Sequence, residues 1–166
     1  SQLSNEVSYS HVSHGGLIGS DDSCVHADNS AATCMQYSRP LAERDNCTKS
    51  WHHNWVHDCY AKCMRGDDNT LNLTMHHNVI YNCGEPEDDG SGQSFGVVLK
   101  GDYNQFYANT VFATKQTAVE LATDAEPTFH LSQSNEHSVV LNNAAHTWSG
   151  KGGPSPVGAK AKFAFY

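Results

Sequence analysis

The chain of 166 residues contains no run of 18 apolar residues, the length a membrane-crossing helix requires, so no segment reads as a transmembrane helix. It is poor in positive charge: Lys and Arg number 10 against 18 Asp and Glu, for a formal net charge of −8. A nucleic-acid-binding surface needs clustered Lys and Arg, so that class of partner is not expected. The same acidity weighs against a site built around a polyanionic polysaccharide. No GxSxG, HExxH, phosphate-binding loop or dinucleotide fingerprint occurs, so none of the chemistries those motifs carry is signalled. No CxxC pair is present, no cysteine follows Cys83, and no charged-then-apolar leader opens the chain. Apolar content is not lacking. Hydrophobic residues make up 38%, with 3 Trp, 7 Tyr and 6 Phe, too many for a solvated coil. One domain over 1–166 with a moderate core fits the length.

What the chain does have is a phrase that returns. Asn54-Trp55-Val56-His57-Asp58-Cys59 is echoed by Asn78-Val79-Ile80-Tyr81-Asn82-Cys83 and more faintly by Asn109-Thr110-Val111-Phe112-Ala113-Thr114. Ser10-His11-Val12-Ser13 fits the same frame upstream. Each phrase is followed by a short apolar run ending in a Gly/Asp turn, such as Met64-Arg65-Gly66-Asp67 and Leu99-Lys100-Gly101-Asp102. The anchors are spaced by 44, 24 and 31 residues, and a further anchor falls at Asn142 or Asn143. The shortest step is a bare coil and the longer ones are that coil plus a loop, which places insertions at 24–46 and 84–95. The coils span about 4–148 and the tail 149–166 is loop-like, with a closing strand over 162–166 and at most a helical turn near Leu41-Ala42-Glu43-Arg44. A two-part unit at regular spacing marks a repeat architecture. Segments of three to five residues, alternating in polarity and rich in Val, Ile, Phe and Tyr, are strands. Stacked in parallel, coils turn alignment columns into ladders roughly 4.8 Å per rung. Val12, Val56, Ile80 and Val111 then stack inward, as do Ile18, Met64, Leu99 and Leu121. Tyr9, His53, His77 and Ala108 form a third column. A β-sandwich is the competing all-β reading and explains the in-register echo less well.

On this N-x-[VI]-x-[DN]-C … G-[DN] pattern, the stretch from about Asn5 to Asn143 resembles the right-handed parallel β-helix (pectate-lyase-like) superfamily, here with about five coils and two long loops. The resemblance implies a stacked amide ladder at Asn54, Asn78 and Asn109 that ends at Ser10. It also implies that a lyase or epimerase of uronate glycans would need a base and a group neutralising the carboxylate. The coil alignment puts Arg65 and Lys100 one rung apart on an outward face, with Glu120 beside them and Asp67, Asp102 and Asp124 in the turn beyond, so Arg65, Lys100 and Glu120 are the catalytic candidates. An ordinary ion-pair ladder on a solvated face accounts for them better.

Six cysteines, at 24, 34, 47, 59, 63 and 83, form an even set in a loop-rich chain, which reads as disulfides made in an oxidising compartment. Cys59 and Cys83 each sit five residues after an anchor Asn, so the column argument pairs them with each other. Cys24–Cys34 and Cys47–Cys63 then close the first loop. Sequons at Asn46 and Asn72 agree with secretion. The stacked His52-His53 and His76-His77 offer metal candidates, His53 and His77 among them, for Zn or Cu. Adjacent strand residues point to opposite faces, so at most two of the four imidazoles are expected on one side. The acidic loop holding Asp88 and Asp89 is a Ca²⁺ candidate by ligand type, although it lacks spaced carboxylates, and no cofactor is otherwise expected. The expected role is a non-catalytic module of a larger secreted glycoprotein, serving as scaffold or carbohydrate-binding element beside other extracellular proteins or further coils of the same chain. A polysaccharide lyase or epimerase fragment is the alternative.

Overall fold

The computed structural model describes residues 5–16, 23–27, 48–67, 70–84, 94–122, 135, 137–151 and 162–164. Every regular element among them is a strand, and every strand pairing is parallel. The first sheet takes β1 (Asn5–Ser8), β4 (Lys49–His52), β7 (Leu73–His76), β10 (Gln105–Tyr107), β13 (Val139–Leu141) and β16 (Lys162–Ala164), in that order. The second takes β2 (His11–Ser13), β5 (Trp55–Cys59), β8 (Val79–Cys83), β11 (Thr110–Thr114) and β14 (Ala144–Ala145). The third takes β3 (Ser23–Ala27), β6 (Lys62–Gly66), β9 (Val97–Leu99), β12 (Val119–Ala122) and β15 (Trp148–Lys151). The chain therefore visits the three sheets in turn, and each circuit lays its strands beside those of the circuit before. This all-β arrangement is compatible with a parallel β-helix and excludes a sandwich of antiparallel strands.

The inward ladders carry the core. In the first sheet Val7, Trp51, Met75, Phe106 and Val140 are register partners, and in the second Val12, Val56, Ile80, Val111 and Ala145 are. Branched and aromatic side chains suit these positions because they fill a pleated surface. The third sheet differs. All five residues of β6, all three of β9 and all four of β12 are buried, so it is covered on both faces, as parallel sheets commonly are.

Its register departs from expectation by two residues. Met64 pairs with Val25 and Val97, and Leu99 pairs with Gly66 and Leu121. The second expected ladder therefore splits into Val25–Met64–Val97–Val119–Trp148 and Ala27–Gly66–Leu99–Leu121–Gly150. The cause is that β6 runs on through Gly66, whereas β9 stops at Leu99, before the matching glycine at 101. Ile18 and the segment 41–44 lie outside the described residues. Strand β3 occupies Cys24–Ala27 inside the first expected insertion, and β15 occupies Ser149–Lys151 inside the expected tail.

Between the first and second sheets each circuit turns a sharp corner. Tyr9, His53, His77, Ala108 and Asn142 hold it with φ of 49, 56, 53, 53 and 52°. Left-handed backbone is uncommon for residues other than Gly and Asn, and the next residue compensates. Asn54 Nδ2 donates to Asn78 Oδ1 at 3.0 Å, Asn78 Nδ2 to Asn109 Oδ1 at 2.9 Å, and Asn109 Nδ2 to Asn143 Oδ1 at 3.0 Å. Each of these Oδ1 atoms also accepts the backbone N–H of the preceding anchor. At Ser10 only the backbone N–H joins, donating to Asn54 Oδ1, so the amide ladder ends there and its fourth member is Asn143.

The disulfides overturn the expected pairing. Cys59 and Cys83 are register partners on β5 and β8, yet Cys59 is bonded to Cys24 and Cys83 to Cys63. In-register side chains on parallel strands run side by side, which is poor geometry for a bridge. A cysteine on the third strand of the previous circuit faces across the corner instead, with Cα–Cα distances of 5.9 and 5.7 Å. Cys24–Cys34 and Cys47–Cys63 are thereby excluded; Cys34 and Cys47 lie outside the described residues.

Candidate functional site

The expected catalytic column does not form the open face foreseen for it. Arg65 and Glu120 both have Val98 as register partner, so they stand two rungs apart with an apolar residue between them. Lys100 lies beyond the end of β9. Arg65 and Glu120 are buried, not solvated. Asp67 gathers three basic side chains: its carboxylate is 2.5 Å from Arg65 Nη2, 3.6 Å from Lys100 Nζ and 3.5 Å from His26 Nε2. Arg65 and Lys100 are thus both engaged by one carboxylate.

The second sheet presents a ladder of rings outward. The residue after each inward ladder residue of the repeat is His57, Tyr81 or Phe112, and the three are register partners. The His57 and Tyr81 rings stack at 4.6 Å and the Tyr81 and Phe112 rings at 5.2 Å, nearly parallel in both cases. His11 packs against the other face of His57 at 4.6 Å. Trp55, two residues before His57 and on the same face of β5, is 58% exposed, and Phe112 is 43% exposed. A polar margin runs alongside. Asp58 and Asn82, both left-handed at φ 51°, are hydrogen-bonded to each other, and Asp58 Oδ2 is 2.6 Å from His57 Nδ1. The amide of Asn82, followed by the imidazole of His57, holds the Asp58 carboxyl below its ordinary pKa. Sequence reading passed over this strip, although its signal was present: an aromatic ring at the fourth position of three successive phrases.

The corner column carries a second set of rings. His52 and His76 stack at 4.8 Å, His53 and His77 at 5.0 Å. Tyr9 stacks on His53 at 4.9 Å and Tyr107 on His76 at 4.9 Å. Contrary to expectation, the two histidines of each pair share a side. The left-handed corner at His53 and His77 swings the second ring back, so that the paired Nδ1 atoms lie 2.9 Å apart in both circuits. His52 Nε2 is 3.0 Å from Glu6 Oε1. A hydrogen bond from Ser8, then that from His52, lowers the Glu6 pKa. Burial, followed by the nearby His52, His77 and His53, lowers that of His76.

Of the remaining expected residues, Asn72 sits at a left-handed position (φ 54°), half-buried and next to β7, with its carbonyl accepting from Lys49 N–H. Asn46, Asp88, Asp89 and Asp124 lie outside the described residues. Among the described residues no group of three or more His, Cys, Asp or Glu side chains converges on one point. No protein-family model, curated protein or solved structure matches this chain.

Proposed function

We propose that the chain is a carbohydrate-recognition module of a secreted protein, built as a right-handed parallel β-helix that binds neutral glycan chains along the outer face of its second sheet. The observation that carries this reading is the outward strip of exposed Trp55, half-buried Tyr81 and exposed Phe112 on three neighbouring strands. The Trp55 indole offers a flat apolar surface to the C–H face of a sugar, and the outward part of the Tyr81–Phe112 stack continues that apolar surface along the next rungs. The adjacent Asp58 and Asn82 supply acceptors and donors for their hydroxyls. Apolar faces with a few fixed polar groups are the usual chemistry of a ligand site, and exposed aromatic area of this kind marks an interaction surface. The acidity of the chain favours neutral glycans over uronates. Two disulfides support an oxidising compartment, and no helix among the described residues is long and apolar enough to cross a membrane. Against the lyase alternative stands the pairing of Arg65 and Lys100 with Asp67.

The test is depletion of the protein from solution by a panel of insoluble neutral polysaccharides, with Trp55→Ala and Phe112→Ala as variants. Both side chains are exposed, so folding should survive. The expected result is binding to at least one glycan that falls tenfold or more in either variant. Binding to none, or equal binding by all three proteins, would refute the reading.

A further inference from the structure

We infer that the His52–His53 pair, with its copy His76–His77, binds a tetragonal divalent transition-metal ion, Cu²⁺ or Ni²⁺, through paired Nδ1 atoms. This site is separate from the ring strip of the second sheet. It starts from a repeated sequence feature, His-His directly before the anchor Asn in two successive circuits. On a regular strand neighbouring side chains diverge to opposite faces and could not share an ion. Here His53 and His77 are left-handed, at φ 56 and 53°, and this returns the second imidazole to the first.

The resulting spacing is that of a chelate. With metal–nitrogen bonds of about 2.0–2.1 Å, two imidazole nitrogens at a right angle lie about 2.8–3.0 Å apart, against about 3.3–3.4 Å for a tetrahedral angle. Both pairs show 2.9 Å. A right-angled bite suits ions that prefer tetragonal nitrogen and oxygen coordination, which are Cu²⁺ and Ni²⁺. The rings of each pair are perpendicular, at 90 and 88°, and each is braced from the neighbouring rung by a stacked partner. Stacking fixes ring orientation before any ion arrives, which lowers the ordering cost of binding.

Glu6 gives an independent pointer at the first pair. Its carboxylate accepts from His52 Nε2 at 3.0 Å, so the proton of that imidazole is on Nε2 and Nδ1 carries the lone pair. A carboxylate behind a ligating histidine is the usual way to fix the tautomer and raise ligand basicity. Tautomerisation of His53, moving its proton from Nδ1 to Nε2, frees the second nitrogen without net proton release. His53 and His77 are exposed, so an ion has access and water completes its shell. The second pair has no such carboxylate in the described contacts, so the first binds more tightly. The two ions would stand one rung apart, close to the ring spacings of 4.8 and 5.0 Å.

The experiment is titration of the full chain with CuCl₂, followed by electron paramagnetic resonance. The first equivalent should give a tetragonal spectrum with two-nitrogen hyperfine structure. The second should broaden it and bring up a half-field transition, because two Cu²⁺ ions that close are dipole-coupled. His53→Ala/His77→Ala should lose two equivalents of copper and the half-field signal while keeping the parent's denaturation midpoint. Glu6→Gln should weaken the first equivalent about 10–100-fold, the usual effect of losing such a carboxylate. Copper uptake and coupling unchanged in the double variant would overturn the assignment, as would two bound equivalents without coupling.

Discussion

Replacement of Asn78 by Ala tests the amide ladder where it is most heavily used. The side chain is fully buried and makes four hydrogen bonds. Its Oδ1 accepts from Asn54 N–H at 3.1 Å and from Asn54 Nδ2 at 3.0 Å, and its Nδ2 donates to Trp51 O at 2.8 Å and Asn109 Oδ1 at 2.9 Å. Truncation does not strand every partner. Asn54 Nδ2 keeps Val7 O at 2.8 Å, and Asn109 Oδ1 keeps the backbone N–H of residue 78 at 3.0 Å. The Asn54 N–H is left buried without its acceptor, which costs about 1–3 kcal/mol, and the three other bonds contribute about 1 kcal/mol each. The expected loss is about 4–6 kcal/mol, comparable with the whole stability of a marginal domain. Ser10→Ala, at the end of the ladder, removes only the Oγ–Ser8 O bond and should cost about 1 kcal/mol or less. Guanidinium denaturation of both variants, read as the shift in midpoint multiplied by the common m-value, measures the contrast. An Asn78→Ala loss within about 1 kcal/mol of that for Ser10→Ala would show that the ladder is not what holds the corners.

Two further outcomes follow from the same structure. Lys49 shares the inward face of β4 with Trp51, and its ammonium is buried with no hydrogen-bond partner, so Lys49→Met should stabilise the protein by about 1–3 kcal/mol in chemical denaturation. Burial lowers the Lys49 pKa from its ordinary value of 10.5, so in the window below 10.5 the unfolded chain binds more protons than the folded one. Parent stability should therefore rise with pH through that window and the advantage of Lys49→Met should shrink; a gap independent of pH would contradict this. The bridges Cys24–Cys59 and Cys63–Cys83 close loops of 35 and 20 residues, and Cys63→Ser/Cys83→Ser should cost about 3–4 kcal/mol. Non-reducing peptide mapping that joins Cys59 to Cys83 would count against the pairing.

The parts of this structure legible in the sequence are those set by columns that repeat without interruption. The anchor Asn, the inward Val or Ile two residues later and the ring after it keep constant spacing, so the second sheet and its corners could be aligned by eye. The third sheet could not, because β6 runs on to its glycine at 66 whereas β9 ends two residues short of Gly101. Aligning Gly66 with Gly101 displaced Lys100 by two residues from its true neighbours. A slip of two preserves the face of each side chain while changing its partner. This is why Met64, Leu99 and Leu121 kept their inward sense while the Arg65–Lys100 rung dissolved. The joining of the His pairs was hidden for a different reason. It depends on a positive φ at histidine, a choice of backbone that composition and spacing do not announce. The disulfides were missed because side chains in one column are neighbours without being aimed at each other.

The two bridges have one connectivity: the third strand of one circuit is bonded to the second strand of the next. Cys24–Cys59 fastens the first circuit to the second and Cys63–Cys83 the second to the third, while Gly96 and Thr114, the next residues along those columns, carry no thiol. In a stack whose units touch only their neighbours, opening travels circuit by circuit from an end. A chain pulled or heated from the β15 side would thus ravel like knitting until it met the fastened rows, whereas from the other side only β1 and β2 precede the first bridged cysteine, Cys24. The molecule has a direction of wear, and proteolysis under partial denaturation should leave a disulfide-bound remnant of its first three circuits.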